Sequence, residues 1–297
     1  VVVAVVGVAL AASGCRSGDA EADDGASSTV EVVASFYPLA EAASRVGGDA
    51  VTVRNLTPAG VEPHDLELTS DQVDRLLDAD VVLYLGQGFQ PAVEKIVGQR
   101  DRPGVDLLDG VDLRPGEGGG DTALDPHLWL DPTRMVAIAE AVEAALASVD
   151  PADAGSFAAS RERYAGELAE LDQAMAAGLG DCARRELVTT HTAFSYLAAR
   201  YGLTQIAISG ISPDAEPDAD RLAELADRVR ADGVTTVFTE TLVSPEVAEA
   251  LAREAGVTAA ELDPIEGLTE DEVEAGDSYS SLMRRNLAVL RTALGCR

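Results

Sequence analysis

Three histidines are the only histidines in the 297 residues: His64, His127 and His191. Neutral imidazole is the side chain most often used to bind a transition metal, so these positions come first. They lie 63 and 64 residues apart, far beyond the spacing of a local zinc finger. His64 sits in Glu62-Pro63-His64-Asp65. His127 sits in Asp125-Pro126-His127-Leu128-Trp129-Leu130-Asp131-Pro132, and His191 in Thr190-His191-Thr192-Ala193-Phe194. Two readings are open on the residues alone. Either the three meet at one site assembled between distant parts of the fold, or each is a separate hydrogen-bonding residue of the core. Catalytic signatures are absent: there is no G-x-S-x-G, no H-E-x-x-H and no P-loop lysine motif. Gly86-Gln87-Gly88 follows an apolar run but lacks the third glycine of a dinucleotide fingerprint.

The elements around these residues alternate between strand and helix. Apolar runs of strand length occur at Val30–Ser35, Val51–Leu56 and Asp80–Leu85, then at Glu186–Thr190, Gln205–Ser209, Thr235–Thr239 and Thr258–Leu262. Helical spacing follows most of them. Such alternation predicts parallel sheets covered by helices, an α/β fold. Pro132 opens a helix to Val149, Pro151 ends it, and Asp153–Leu179 continues as a longer one. The expected layout is an N-terminal lobe over 30–150, a connecting helix within 151–182 and a C-terminal lobe over 183–297. The two lobes would thus be joined by one long rigid helix. In open parallel sheets, ligands bind beyond the C-terminal ends of the strands. His64 and His191 each follow a strand, which suits a site between lobes.

The N-terminal residues read as an address. Val1–Ala12 is apolar and too short to span a bilayer, but it suits the apolar region of a signal peptide over 1–14. Its basic leader is expected to precede Val1. The small residues running into Cys15 resemble a bacterial lipobox, which implies cleavage before Cys15 and lipidation of its thiol. The stretch after Cys15, to residue 29, is polar and small, as a tether would be. The folded part is then expected outside the cytoplasmic membrane. An oxidising compartment favours a disulfide between the remaining cysteines, Cys182 and Cys296, the alternative being two free thiols. The formal charge of −30 argues against nucleic acid and against basic docking on an anionic membrane.

Taken together, the motifs resemble the substrate-binding lipoproteins of bacterial zinc and manganese ABC importers, the metal-binding group of long-helix binding proteins. Further matching pieces are Ser35-Phe36-Tyr37-Pro38, Ile211–Pro217, Phe238-Thr239-Glu240-Thr241-Leu242, Asp263-Pro264-Ile265-Glu266-Gly267-Leu268 and Gly276-Asp277-Ser278-Tyr279. The resemblance implies two α/β lobes and one metal held in the cleft by His64, His127, His191 and Asp277. Glu240 would orient a histidine rather than bind the metal, and Trp129 would pack. The metal would be Zn²⁺, with Mn²⁺ as the alternative, because manganese-selective relatives place a carboxylate where this chain has His191. The implied partners are an ABC permease with its ATPase subunit and the membrane, reached through the lipid on Cys15 at the outer face of the cell membrane. A monomer is expected. Many zinc-specific members carry a histidine-rich loop before the Asp-Pro-His motif, whereas Leu113–Leu124 contains no histidine. Two competitors are weaker. A metal-dependent hydrolase needs an open coordination position, which four protein ligands would fill. A siderophore or vitamin binder needs an aromatic or arginine-lined cleft, and only 4% of residues are aromatic.

Overall fold

A computed structural model describes residues 1–4, 29–116, 124–213 and 217–297. Cys15 and its tether up to residue 28, residues 117–123 of the histidine-free loop and residues 214–216 lie outside the described residues.

The first lobe is built from β1 (Val30–Ala34), α1 (Tyr37–Gly47), β2 (Val51–Asn55), α2 (Ser70–Asp78), β3 (Val81–Tyr84), α3 (Pro91–Val97) and β4 (Val105–Asp106). Its strands are parallel, in the order β2-β1-β3-β4. The helices α4 (Pro132–Val149) and α5 (Ala154–Leu179) follow. The second lobe holds β5 (Glu186–Thr189), α6 (Ser195–Tyr201), β6 (Thr204–Ala207), α7 (Ala219–Ala231) and β7 (Thr236–Thr239). It ends with α8 (Glu246–Ala255), β8 (Thr258–Glu261), α9 (Glu270–Ala275) and α10 (Tyr279–Leu294). Its strands are also parallel and repeat the same order, β6-β5-β7-β8. The expected strands are present within two residues of their predicted ends. The two-residue strand β4 and the six-residue helix α9 carry too little periodicity to be read from sequence.

Helix α5 has 26 residues, so it runs about 39 Å at 1.5 Å per residue. Phe157, Tyr164, Leu168, Leu171, Met175 and Leu179 recur at helical spacing and are all buried, which makes one continuous apolar seam. The seam packs on α1 and α4 of the first lobe and on α6 and α10 of the second. One hydrophobic core therefore runs through both lobes, from Val32 and Phe36 through Trp129 and Tyr164 to Ile265, Tyr279 and Leu290. Smaller apolar clusters lie around Val82 and Leu76 in the first lobe and around Val237 and Leu251 in the second. Cys182, just after α5, is joined by a disulfide to Cys296, just after α10. On the chain-entropy account a crosslink closing so long a loop stabilises by up to about 4–5 kcal/mol.

Candidate metal centre

The histidines and one carboxylate reach the centre from strand ends. His64 follows β2, in a loop stiffened by Pro58 and Pro63 and capped by the start of α2. His127 opens a single 3₁₀ turn, Leu128–Leu130, just before α4. His191 follows β5, and Glu266 lies in the loop after β8. The loops of His64, His191 and Glu266 follow the C-terminal ends of parallel strands, where such folds place ligands, and His127 meets them from the turn before α4. His64 and His127 belong to the first lobe, His191 and Glu266 to the second.

One donor atom from each of His64, His127, His191 and Glu266 lies within 4.8 Å of the others. The Nε2 atoms of His127 and His64 face each other at 3.3 Å. Glu266 Oε1 is 3.2 Å from His127 Nε2, 3.2 Å from His191 Nε2 and 3.6 Å from His64 Nε2. His127, His191 and Glu266 are buried, while His64 is half-buried at the rim. An open cavity of about 370 Å³ borders the cluster, lined by Glu62, Asp65, Thr190, Leu242 and Glu246 among others. Glu62 and Thr190 are the near neighbours of His64 and His191, so the cavity approaches the donors from this side, while the donor side chains themselves stay buried.

The outer ring nitrogens of His127 and His191 are occupied. His127 Nδ1 is 2.7 Å from Asp125 Oδ1, and His191 Nδ1 is 2.5 Å from Glu240 Oε2. A carboxylate on Nδ1 requires a proton there, which turns the Nε2 lone pair toward the centre. Both carboxylates are themselves anchored. Asp125 Oδ1 accepts the His127 backbone N–H at 2.9 Å, and its Oδ2 accepts the hydroxyl of Ser195 from the opposite lobe. Glu240 accepts the His191 backbone N–H at 3.1 Å.

The electrostatics follow from this crowding. Burial lowers the pKa of His127, but hydrogen bonds to Asp125 and Glu266 outweigh it and the net shift is upward. His191 is raised well above the ordinary histidine value: burial opposes, and the charges of Glu240 and Glu266 prevail. Burial lowers His64. Glu266 is held well below the ordinary carboxylate range, because the His191 charge and hydrogen bonds from all three imidazoles overcome its burial. Burial and the Glu266 charge push Glu62 up to about 8. The arrangement concentrates donor electrons that protons or a cation must neutralise.

Asp277, the carboxylate expected among the ligands, does not join the cluster. It precedes α10 and is engaged locally: Ser281 Oγ donates to Oδ1 and Arg285 Nη2 to Oδ2, both at 2.8 Å. Those partners lower its pKa, Ser281 first and Arg285 second. The carboxylate that meets the histidines is Glu266. Its position was legible in one respect, since Asp263-Pro264-Ile265-Glu266 directly follows a strand, whereas Asp277 opens a helix. Glu240 bonds His191, and Trp129 is fully buried beside His127 with ring centroids 5.2 Å apart.

Two parallel α/β lobes sharing one core, with a His₃-carboxylate cluster between them that could hold a metal ion, define a two-lobed α/β protein with a candidate metal centre. The family described as ZnuA, zinc-uptake complex component A periplasmic, matches residues 32–293, and the chain belongs to it. The zinc-binding protein AdcA of Streptococcus pyogenes serotype M6 is 37% identical over 285 residues, covering 88% of this chain. The chain spans 55% of that relative's length. The high-affinity zinc uptake system protein ZnuA of Bacillus subtilis is 32% identical over 307 residues, covering 99% of this chain and 96% of the relative. Among solved structures, the Zn(II)-bound ZnuA-like domain of Streptococcus pneumoniae AdcA is 36% identical with a TM-score of 0.78, covering 90% of this chain and 99% of that one.

Proposed function

We propose that the protein captures one divalent transition metal outside the cytoplasmic membrane and hands it to an ABC permease driven by its ATPase subunit. The metal is Zn²⁺, bound by His64, His127, His191 and Glu266. The observation that carries this reading is the convergence of those four donors within 4.8 Å from two lobes. Three imidazoles and one carboxylate make a full tetrahedral set for zinc, and the nitrogen-rich set is a poor match for harder Mn²⁺. The Nδ1 contacts of Asp125 and Glu240 prepare two of the donors in the required tautomer. Four protein donors leave no position for an activated water, so the centre binds and releases rather than catalyses. Lipidation of Cys15 would anchor the chain, as a monomer, to the outer face of the membrane.

The test is a chelator-competition titration of the purified protein with Zn²⁺ and Mn²⁺. One tight zinc per chain, displaced by manganese only in large excess, supports the reading. No tight site, or preferential manganese uptake, overturns it.

A further inference from the structure

Trp129 is the single tryptophan of the chain, and it is fully buried where the lobes meet. Its ring belongs to the first lobe and packs against Phe36 and Phe89, with centroids at 4.8 and 5.6 Å. Its indole Nε1 donates across the lobe boundary to the carbonyl of Pro264 at 2.8 Å. In return, Tyr279 of the second lobe donates its hydroxyl to the Trp129 carbonyl at 2.6 Å. Pro264 is two residues before Glu266.

The segment that Trp129 grips is under backbone strain. Ile265, between Pro264 and Glu266, has φ +54°, a left-handed conformation that is unfavourable for a β-branched residue. Several contacts hold it there. Asp263 Oδ1 accepts the Ile265 N–H and the Thr241 hydroxyl, both at 2.7 Å. Asn286 brackets Asp263 by accepting its N–H at 3.0 Å and donating to its carbonyl at 2.7 Å. These bonds lie within the second lobe. From the lobe carrying His64 and His127, Trp129 bonds the loop two residues before Glu266, and the Gly60 N–H bonds the Leu268 carbonyl two residues after it at 2.8 Å.

Resting on the metal-binding reading above, we propose that Trp129 is a positioning residue for the carboxylate ligand. Its indole N–H fixes the Pro264–Ile265 peptide against the first lobe and so sets where Glu266 stands relative to the two first-lobe histidines. It touches no metal. A lobe displacement that breaks this hydrogen bond would loosen the turn's tie to the first lobe and shift Glu266, while His127 and His191 keep Asp125 and Glu240. A tryptophan acting only by packing would act through its ring neighbour His127, and its effect would persist without Glu266.

The experiment is a double-mutant cycle on zinc affinity, measured by chelator competition, with Trp129→Phe and Glu266→Gln. Removing the N–H leaves a buried carbonyl unpaired, so Trp129→Phe should weaken zinc binding about ten-fold or more. In the Glu266→Gln background the same change should have no further effect, because the ligand it positions is already lost. Cobalt(II) absorption gives an independent reading: the spectrum of Trp129→Phe should shift toward that of Glu266→Gln. Because this is the only tryptophan, supplying a sulfur analogue of tryptophan that lacks the N–H replaces this ring alone. That variant keeps the packing and must show the same pattern if Trp129→Phe does not fold. Equal losses in both backgrounds, or an unchanged affinity in the native background, overturn the proposal. Failure of the native protein to take up zinc would instead refute the metal-binding reading itself.

Discussion

Replacing Glu266 and replacing Asp277 should have opposite consequences, though both are acidic and lie eleven positions apart on the same lobe. Glu266 Oε1 stands 3.2 Å from two imidazole Nε2 atoms, close enough for all to share one ion after small adjustments. Asp277 spends its oxygens on Ser281 and Arg285. Tight structural zinc sites bind with about 10–16 kcal/mol in total, so one of four ligands accounts for roughly 3 kcal/mol. Glu266→Gln should therefore lower zinc affinity by about 100-fold or more, with stoichiometry still near one. Asp277→Asn removes an exposed ion pair and should change affinity by less than about two-fold, with a stability cost of at most about 1 kcal/mol. Isothermal titration with a competing chelator resolves both. A large loss in Asp277→Asn with little effect of Glu266→Gln would refute the assignment and restore Asp277 as the ligand.

Other consequences are equally direct. The raised pKa values of His127 and His191 mean that the zinc-free cluster holds protons that zinc must displace, so affinity should fall steadily from pH 8 to 6, with proton release visible as a buffer-dependent binding enthalpy. For the zinc-free protein the sign is reversed. Groups raised on folding stabilise fully below their unfolded value, about 6.5 for histidine, and lose that contribution as pH rises through the folded value, so its melting temperature should be higher at pH 6 than at pH 8. Glu62 and Asp263, raised to about 8 and about 7, act in the same direction and outnumber His64, whose pKa burial lowers and which acts oppositely. Reducing the Cys182–Cys296 bridge should lower stability by up to about 4–5 kcal/mol while leaving zinc affinity within a few-fold, as followed by denaturant unfolding with and without reductant. His191→Glu, which exchanges a nitrogen donor for oxygen, should lower the Zn²⁺-to-Mn²⁺ affinity ratio; an unchanged or higher ratio would show that His191 does not set selectivity.

The fold was largely legible in the sequence because its signals are local. Val30–Ser35 and Asp80–Leu85 are apolar runs bounded by breakers, and Pro132 marks a helix start by its fixed φ. The three histidines stood out because no others compete with them. Choosing the carboxylate was harder. Glu266 and Asp277 both sit in polar loops among many acids, and their difference lies in partners far away in the chain. His127 and His191 approach Glu266 only after the lobes pack, and Arg285 claims Asp277 only once α10 forms. The second role of Trp129 was hidden for the same reason. Its hydrogen bond to Pro264 joins residues 135 positions apart, and no pattern in either segment announces it.

The central claim is that one zinc ion sits among His64, His127, His191 and Glu266. A crystal structure of the zinc-loaded protein, with anomalous data on either side of the zinc absorption edge, tests it most directly. One strong peak per chain is expected, at about 2.0–2.2 Å from three imidazole nitrogens and a Glu266 oxygen. A peak elsewhere, a peak whose carboxylate is Asp277, or no peak in protein saturated with zinc would contradict it.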